Sequence, residues 1–314
     1  MQPDIIFNAQ ILKGFVPKLI FDAMATNIHR IPIVLTQDEI IICAADKEDS
    51  PREAHSLWNT RWSYKKLGNY VCTTPGTICV DIKRLRTMLK GVKKKESVTF
   101  YIKKDNPDLL YVTIQSVGSG EDGALPQSET MTSPIVWKSD YVMPSLPDKY
   151  KGEDGIICDA YDRPMIIGAT DFQKIKKMTN ACKGSISVKL QKNNYASFFV
   201  GDPSMLTGHL EFGRLSDDSS IYEKAFAKNL LAPLVKLPGL CTHMEFYAPL
   251  IDTYPLKVTV SVTTGLCCDV TVYIKDNDQI NQTATKQLRQ PSPQQSPSPK
   301  SIRATRKDPT KSAK

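Results

Sequence analysis

A doubled pattern constrains this chain more than any other feature of its sequence. Val98-Thr99-Phe100-Tyr101-Ile102, a turn at Asp105-Asn106-Pro107 and Leu110-Tyr111-Val112-Thr113-Ile114 read as a β-hairpin. β-Branched and aromatic residues suit pleated strands, and the proline-containing turn punctuates them. In the second half, Met244-Glu245-Phe246-Tyr247, a turn at Asp252-Thr253-Tyr254-Pro255 and Val258-Thr259-Val260-Ser261-Val262 repeat that grammar. An amphipathic basic segment precedes each hairpin, over 80–91 and 226–235, and each is expected to be a helix. Each half also opens with a strand running into a helix, 4–13 then 15–24 and 164–168 then 171–179. Strand, helix, several strands, helix and hairpin, written twice, define a duplicated α+β module.

The length of 314 residues is comfortable for two such modules. Residues 139–162 are dense in Pro, Asp, Lys and Gly and read as a connector between a first domain, 1–138, and a second, 163–278. The Gly-rich run from Ser116 to Gly123 reads as a loop. The stretch LRQPSPQQSPSPK has no apolar periodicity, and 279–314 is expected to be a disordered basic tail. That tail carries eight basic residues against Asp308, a net +7 of the chain's +8. The body is therefore near neutral, and a polyanion-binding surface on it must come from segregated charge.

Several function classes find no support. No apolar run approaches the roughly 18–20 residues of a membrane span, and Met1-Gln2-Pro3-Asp4 lacks the features of a secretory signal. Cys43, Cys72, Cys79, Cys158, Cys182, Cys241, Cys267 and Cys268 have no CxxC spacing, and several lie in apolar runs, which suits buried thiols in a reducing compartment. His29, His55, His209 and His243 are widely separated and outside any HExxH or zinc spacing. Gly118-Ser119-Gly120 runs into acids and prolines instead of a helix, and Gly-x-Ser-x-Gly does not occur at a strand–helix turn. The chain is not expected to be an enzyme, and no cofactor or metal is expected.

The expected helices share a sign of charge. In 80–91, Ile82, Leu85, Met88 and Leu89 form an apolar stripe, while Lys83, Arg86 and Lys90 form a basic one with Arg84 beside it. In 171–179, Phe172, Ile175 and Met178 face in and Lys174 and Lys177 face out. Phe226, Leu230 and Leu234 make the stripe of the fourth helix, with Lys228 and Lys236 near one face. The first helix offers Lys18, with Lys13 just before it. One basic stripe is ordinarily a solvated face. Four of one sign on a near-neutral body suit sequence-independent phosphate contact with duplex DNA, which carries about one negative charge per 1.7 Å.

These features resemble the proliferating cell nuclear antigen (PCNA) family of sliding clamps, and a diverged viral member in particular. The match runs from about Phe7 to Lys275 and is clearest over Phe226-Ala227-Lys228-Asn229-Leu230-Leu231 through Tyr254-Pro255-Leu256-Lys257-Val258, then over 166–179. The resemblance implies an α+β DNA-clamp fold: two repeated modules of antiparallel sheet, each with two helices on one face. It implies a homotrimeric ring with the helices lining the hole, so that the basic residues named above would contact double-stranded DNA. It also implies a pocket beneath the connector where DNA polymerase and other replication or repair proteins dock a short hydrophobic peptide. Ala45, Val142, Leu146, Pro255, Tyr273 and Ile274 are the residues it assigns to that pocket. The expected location is the nucleus or a viral replication site. Departures from the family are Pro134 in its edge strand, Pro233 inside the fourth helix, a longer connector, the small Ala45, the ending Lys275-Asp276-Asn277-Asp278 and the basic tail. A monomeric or dimeric DNA-binding processivity factor and a subunit of a checkpoint heteroclamp are the alternative readings.

Overall fold

The computed structural model describes residues 4–48, 50–116, 127–181, 184–191, 195–201, 207–216, 221–263 and 265–289. The Gly-rich run beyond Ser116 and the tail beyond 289 lie outside the described residues.

The first module opens as expected. Strand Ile5–Ile11 leads into α1 (Phe15–Met24), whose Val16, Ile20 and Met24 recur every four residues and are buried together with Pro17 and Phe21. The chain enters this helix at Gly14, where a Cβ would lie 2.5 Å from Val98 Cγ2, so only glycine permits the close approach. The second helix, α2 (Ile82–Leu89), begins at Asp81, whose Oδ1 accepts the amides of Lys83 and Arg84 at 2.8 and 3.0 Å. Its expected apolar stripe is the buried face, and Lys83, Arg84, Arg86 and Lys90 are exposed. Both expected hairpins form: Ser97–Lys103 pairs with Asn106–Gln115, and His243–Tyr247 with Leu256–Ser261.

The helices of the second module depart from expectation. In place of one helix over 171–179 there are two short ones, α3 (Ala169–Phe172) and α4 (Ile175–Ala181), although Phe172, Ile175 and Met178 still point into the core. The helix expected over 226–235 starts later. Phe226 belongs to strand Ile221–Ala227, where it sits opposite Ile186 and is fully buried. Helix α5 covers only Lys228–Leu231, and a 3-10 segment, Ala232–Gly239, follows. Pro233 and Pro238 supply no amide hydrogen, and the chain tightens where that ladder is interrupted. Phe172, Phe198 and Phe246 form the aromatic centre of this module, with centroids 5.2 to 5.9 Å apart.

The two modules share a sheet. Thirteen strands run from Met165–Gly168 at one edge to Tyr70–Cys72 at the other, and cross between modules where Asp269–Ile274 pairs antiparallel with Ser56–Ser63. A separate four-stranded sheet has the order Thr207–Gly213, Tyr195–Gly201, Ser185–Gln191 and Ile221–Ala227. Among the described residues, Thr207–Gly213 has a neighbour on one side only. Strand Ser128–Trp137 pairs with Asn106–Gln115 from Ser128 to Pro134, and on its other side meets Gly76–Asp81 only from Ile135 to Trp137.

Pro134 sits where that second pairing stops. Ser116 N–H donates to Gln127 O at 3.0 Å on one side of the strand, and Lys138 N–H to Thr77 O at 2.8 Å on the other. Because successive residues alternate sides, even-numbered residues face away from Asn106–Gln115. The donor that Pro134 lacks is therefore missing from the outer edge, and the inner ladder is untouched.

Two further boundaries differ from those the sequence suggests. The connector contains a short hairpin, Lys149–Lys151 with Ile157–Asp159. The first part of the stretch expected to be a disordered tail, from residue 279, belongs instead to a helix, α6 (Asn277–Arg289). Gln279 N–H donates to Asp276 Oδ1 at 2.8 Å and Asp276 N–H to Gln279 Oε1 at 3.2 Å, a reciprocal cap. Ile280 packs against the core, one apolar contact in a polar sequence.

Candidate functional site

The helices lie in one row. Helix α1 packs between α2 and the 3-10 segment Ala232–Gly239, and that segment in turn meets α3 and α4. Of the expected DNA-contacting residues, Lys13, Lys83, Arg84, Lys90, Lys174 and Lys177 are exposed. Lys174 Nζ also pairs with Asp171 at 2.7 Å, and Arg86 Nε with Asp22 at 2.7 Å. Lys176, which lies off the stripe that helical periodicity picks out, is exposed beside Lys177. Lys228 is half-buried at the start of α5.

Two of the expected residues hold helices together. Lys18 Nζ donates to Lys90 O at 2.7 Å and Val92 O at 3.0 Å, carbonyls at the C-terminal end of α2, where a cation is favoured. Lys236 Nζ donates to Asp22 O at 2.7 Å and Thr26 Oγ1 at 3.2 Å, tying the second module to α1. Burial pushes the Lys236 ammonium below the usual lysine range, and the nearby Arg86 guanidinium adds to this. Spacing alone does not separate a lysine facing solvent from one seated on a neighbouring helix.

A second site lies under the connector. Lys138 pairs with Glu48, and Tyr141 O–H donates to Cys43 O at 2.9 Å, which fixes the connector's start to the first module. The following residues cover a cleft of about 540 Å³, lined by Pro51, Ala54, Leu57, Val142, Met143, Pro144, Pro147, Pro255 and Tyr273, with His55, Ser56, Ser145 and Lys275 as its polar members. Val142 is 84% exposed, an apolar side chain with no cover of its own. Burial pushes His55 below the usual imidazole range against the opposing pull of Asp46, 3.6 Å away.

Of the six expected pocket residues, Val142, Pro255 and Tyr273 line the cleft. The other three do not. Ala45 sits opposite Leu57 in the sheet but lines the adjoining hollow with Asp46 and Glu48. Ile274 is fully buried, since strand alternation turns it to the face opposite Tyr273. Leu146 is half-buried and points elsewhere than the lining. Met143 and Pro144, which also line the cleft, fall inside the connector stretch from Val142 to Leu146 that the resemblance assigns to the pocket, whereas Leu57 is a cleft residue that the sequence pattern does not single out. Among the described residues, no three His, Cys, Asp or Glu side chains are grouped to hold a metal ion, and no helix is long and apolar enough to cross a membrane.

No protein-family model matches the sequence. Over 270 residues, 82% of this chain and 93% of the relative, the chain is 22% identical to a protein of Paramecium bursaria Chlorella virus 1 described as a probable DNA polymerase sliding clamp 1. Its fold is similar to that of the PCNA2-PCNA3 complex from Sulfolobus tokodaii, with a TM-score of 0.65, 15% identity and coverage of 86% of this chain and 99% of that one. It is also similar to PCNA from Entamoeba histolytica, with a TM-score of 0.63, 14% identity and coverage of 87% and 99%. The architecture is thus the α+β DNA-clamp fold. In sequence the chain is thus similar to a viral protein described as a probable sliding clamp, and in fold to PCNA structures.

Proposed function

We propose that this chain is a DNA polymerase processivity factor, a non-enzymatic clamp that encircles duplex DNA and tethers replication proteins. The row of helices with exposed Lys83, Arg84, Lys90, Lys174 and Lys177 carries the reading. It is a basic surface without a base-reading constellation, as phosphate contact at any sequence requires. The cleft beneath the connector supports the tethering half, being an apolar groove sized for one helical turn of a partner peptide.

The ring we infer is a homotrimer. Within the chain, the last strand of the second module closes on the first module through Asp269–Ile274 and Ser56–Ser63. The same two strand positions in the other combination, Ser128–Trp137 and Thr207–Gly213, have open edges among the described residues. Head-to-tail pairing of those edges between copies would repeat the internal junction and close a ring. The working location is the nucleus or a viral replication site.

Retention on nicked circular DNA against linear DNA, at rising salt, tests the function. A ring loaded on a circle stays bound at salt that removes it from a linear molecule, because the link is topological. Equal loss from both forms would replace the ring with an open factor held by charge alone.

A further inference from the structure

The ammonium of Lys257 sits in a box of three tyrosines closed by the connector. It lies 5.3, 5.1 and 6.0 Å from the ring centroids of Tyr161, Tyr247 and Tyr273. It donates to Asp148 Oδ1 at 2.7 Å, while Tyr273 O–H donates to Asp148 Oδ2 at 2.9 Å. Both oxygens of this connector carboxylate are thus engaged by the second module, each in a charge-assisted bond. Tyr254 O–H adds a bond to Lys149 O at 3.1 Å.

The position of this pin gives it a consequence for the cleft. Asp148 directly follows Pro147, the last connector residue of the lining, and Tyr273 is a cleft wall. The connector is thereby anchored by Lys138 and Tyr141 before the cleft and by Asp148 after it. The sheet does not need the pin, since Lys257 and Tyr273 are already opposite each other in the backbone ladder. Asp148 acts across the gap between connector and sheet.

We propose that Asp148 is a latch, a positioning residue that holds the connector over the cleft, orients Tyr273 and so sets the affinity for a partner's apolar peptide. This rests on the reading of the cleft as the peptide site. The Asp148 side chain is 38% exposed and that of Lys257 21%, so solvent screens part of the ion pair while the tyrosine rings shield the ammonium.

The test uses the full chain and a fluorescein-labelled synthetic peptide of one helical turn with apolar anchors at i, i+3 and i+4. Asp148→Asn keeps the shape and removes the charge; it is expected to weaken peptide binding several-fold, up to about tenfold. Asp148→Glu should recover part of the loss. Lys257→Met should weaken binding similarly and add little to Asp148→Asn, as expected when two groups form one unit. Amide hydrogen exchange over 142–148 should quicken in Asp148→Asn with no peptide present, and thermal midpoint and DNA retention should stay as in the wild type. Wild-type-like peptide affinity in Asp148→Asn, or unchanged exchange, overturns the latch and leaves the cleft reading standing. A wild-type chain that does not bind the peptide overturns the cleft reading, and the latch's role in affinity with it.

Discussion

Lys18 and Lys83 look alike in the sequence, each a lysine on an amphipathic helix, yet their ammonium groups meet different surroundings. Lys18 is bound to two carbonyls just past the end of α2, and Lys236 to an α1 carbonyl and the Thr26 hydroxyl just beyond that helix, whereas Lys83 and Arg84 are exposed. Replacing Lys18 or Lys236 with Ala should therefore cost about 1 kcal/mol of stability, read from urea unfolding, because carbonyls lose charged donors. Lys83→Ala with Arg84→Ala should leave stability within about 0.5 kcal/mol. The same pair of substitutions should make the salt dependence of DNA binding shallower, by close to one counterion for each phosphate no longer neutralised. His55 gives a pH prediction. Burial holds its folded pKa below the unfolded value of 6.5, so the unfolded chain takes up the proton first as pH falls. Stability should decline as pH drops through about 6.5 toward the folded pKa and level off below it. His55→Gln should flatten that segment of a urea-midpoint series.

At the scale of elements, α6 depends on its first turn. Asp276 is 1% exposed, and it and Gln279 satisfy each other's amides, while Gln279 Nε2 donates to Asp252 O and Tyr254 O. Asp276→Ala should cost about 1 kcal/mol, concentrated as faster amide exchange over 277–289, with the clamp modules protected as before. This helix is hard to see in the sequence because its composition is polar, and a capping pair of Asp and Gln is a weak signal when, among the described side chains of α6, Ile280 alone packs against the core. The strands and the buried stripes are legible: period alone picks out Ile82, Leu85, Met88 and Leu89, and all four are buried. A stripe tells which side faces the core, but not whether the hydrogen-bond ladder stays α-helical. The break between Phe172 and Ile175 and the strand placement of Phe226 are invisible for that reason. The cleft is half legible, since Tyr273 and Pro255 come from one hairpin and its neighbouring strand. Leu57 joins them only through cross-module strand pairing, which local sequence does not encode.

For the whole molecule, the decisive question is how strongly the two open edges hold a neighbour. The internal junction pairs five residues, from Val270 opposite Thr60 to Ile274 opposite Ser56. On the Ser128–Trp137 edge, the outward positions before Gly76–Asp81 takes over are Ser128, Thr130, Thr132 and Pro134, and the last has no donor. A junction built there has one hydrogen bond fewer than a strand without proline would give, so the ring should come apart on dilution more readily than the modules come apart from each other. Pro134→Thr restores the donor in a β-branched residue and should shift the dissociation midpoint to lower protein concentration, by up to about tenfold. Across the junction, Leu210 is half-buried on the inner face of Thr207–Gly213, and a neighbour would finish its burial. Leu210→Asp should leave a folded single chain at micromolar concentration where the wild type has the mass of three. Light scattering over a dilution series reads both. If Leu210→Asp keeps the wild-type mass and Pro134→Thr does not move the midpoint, these edges are not the junction, and any ring must close elsewhere.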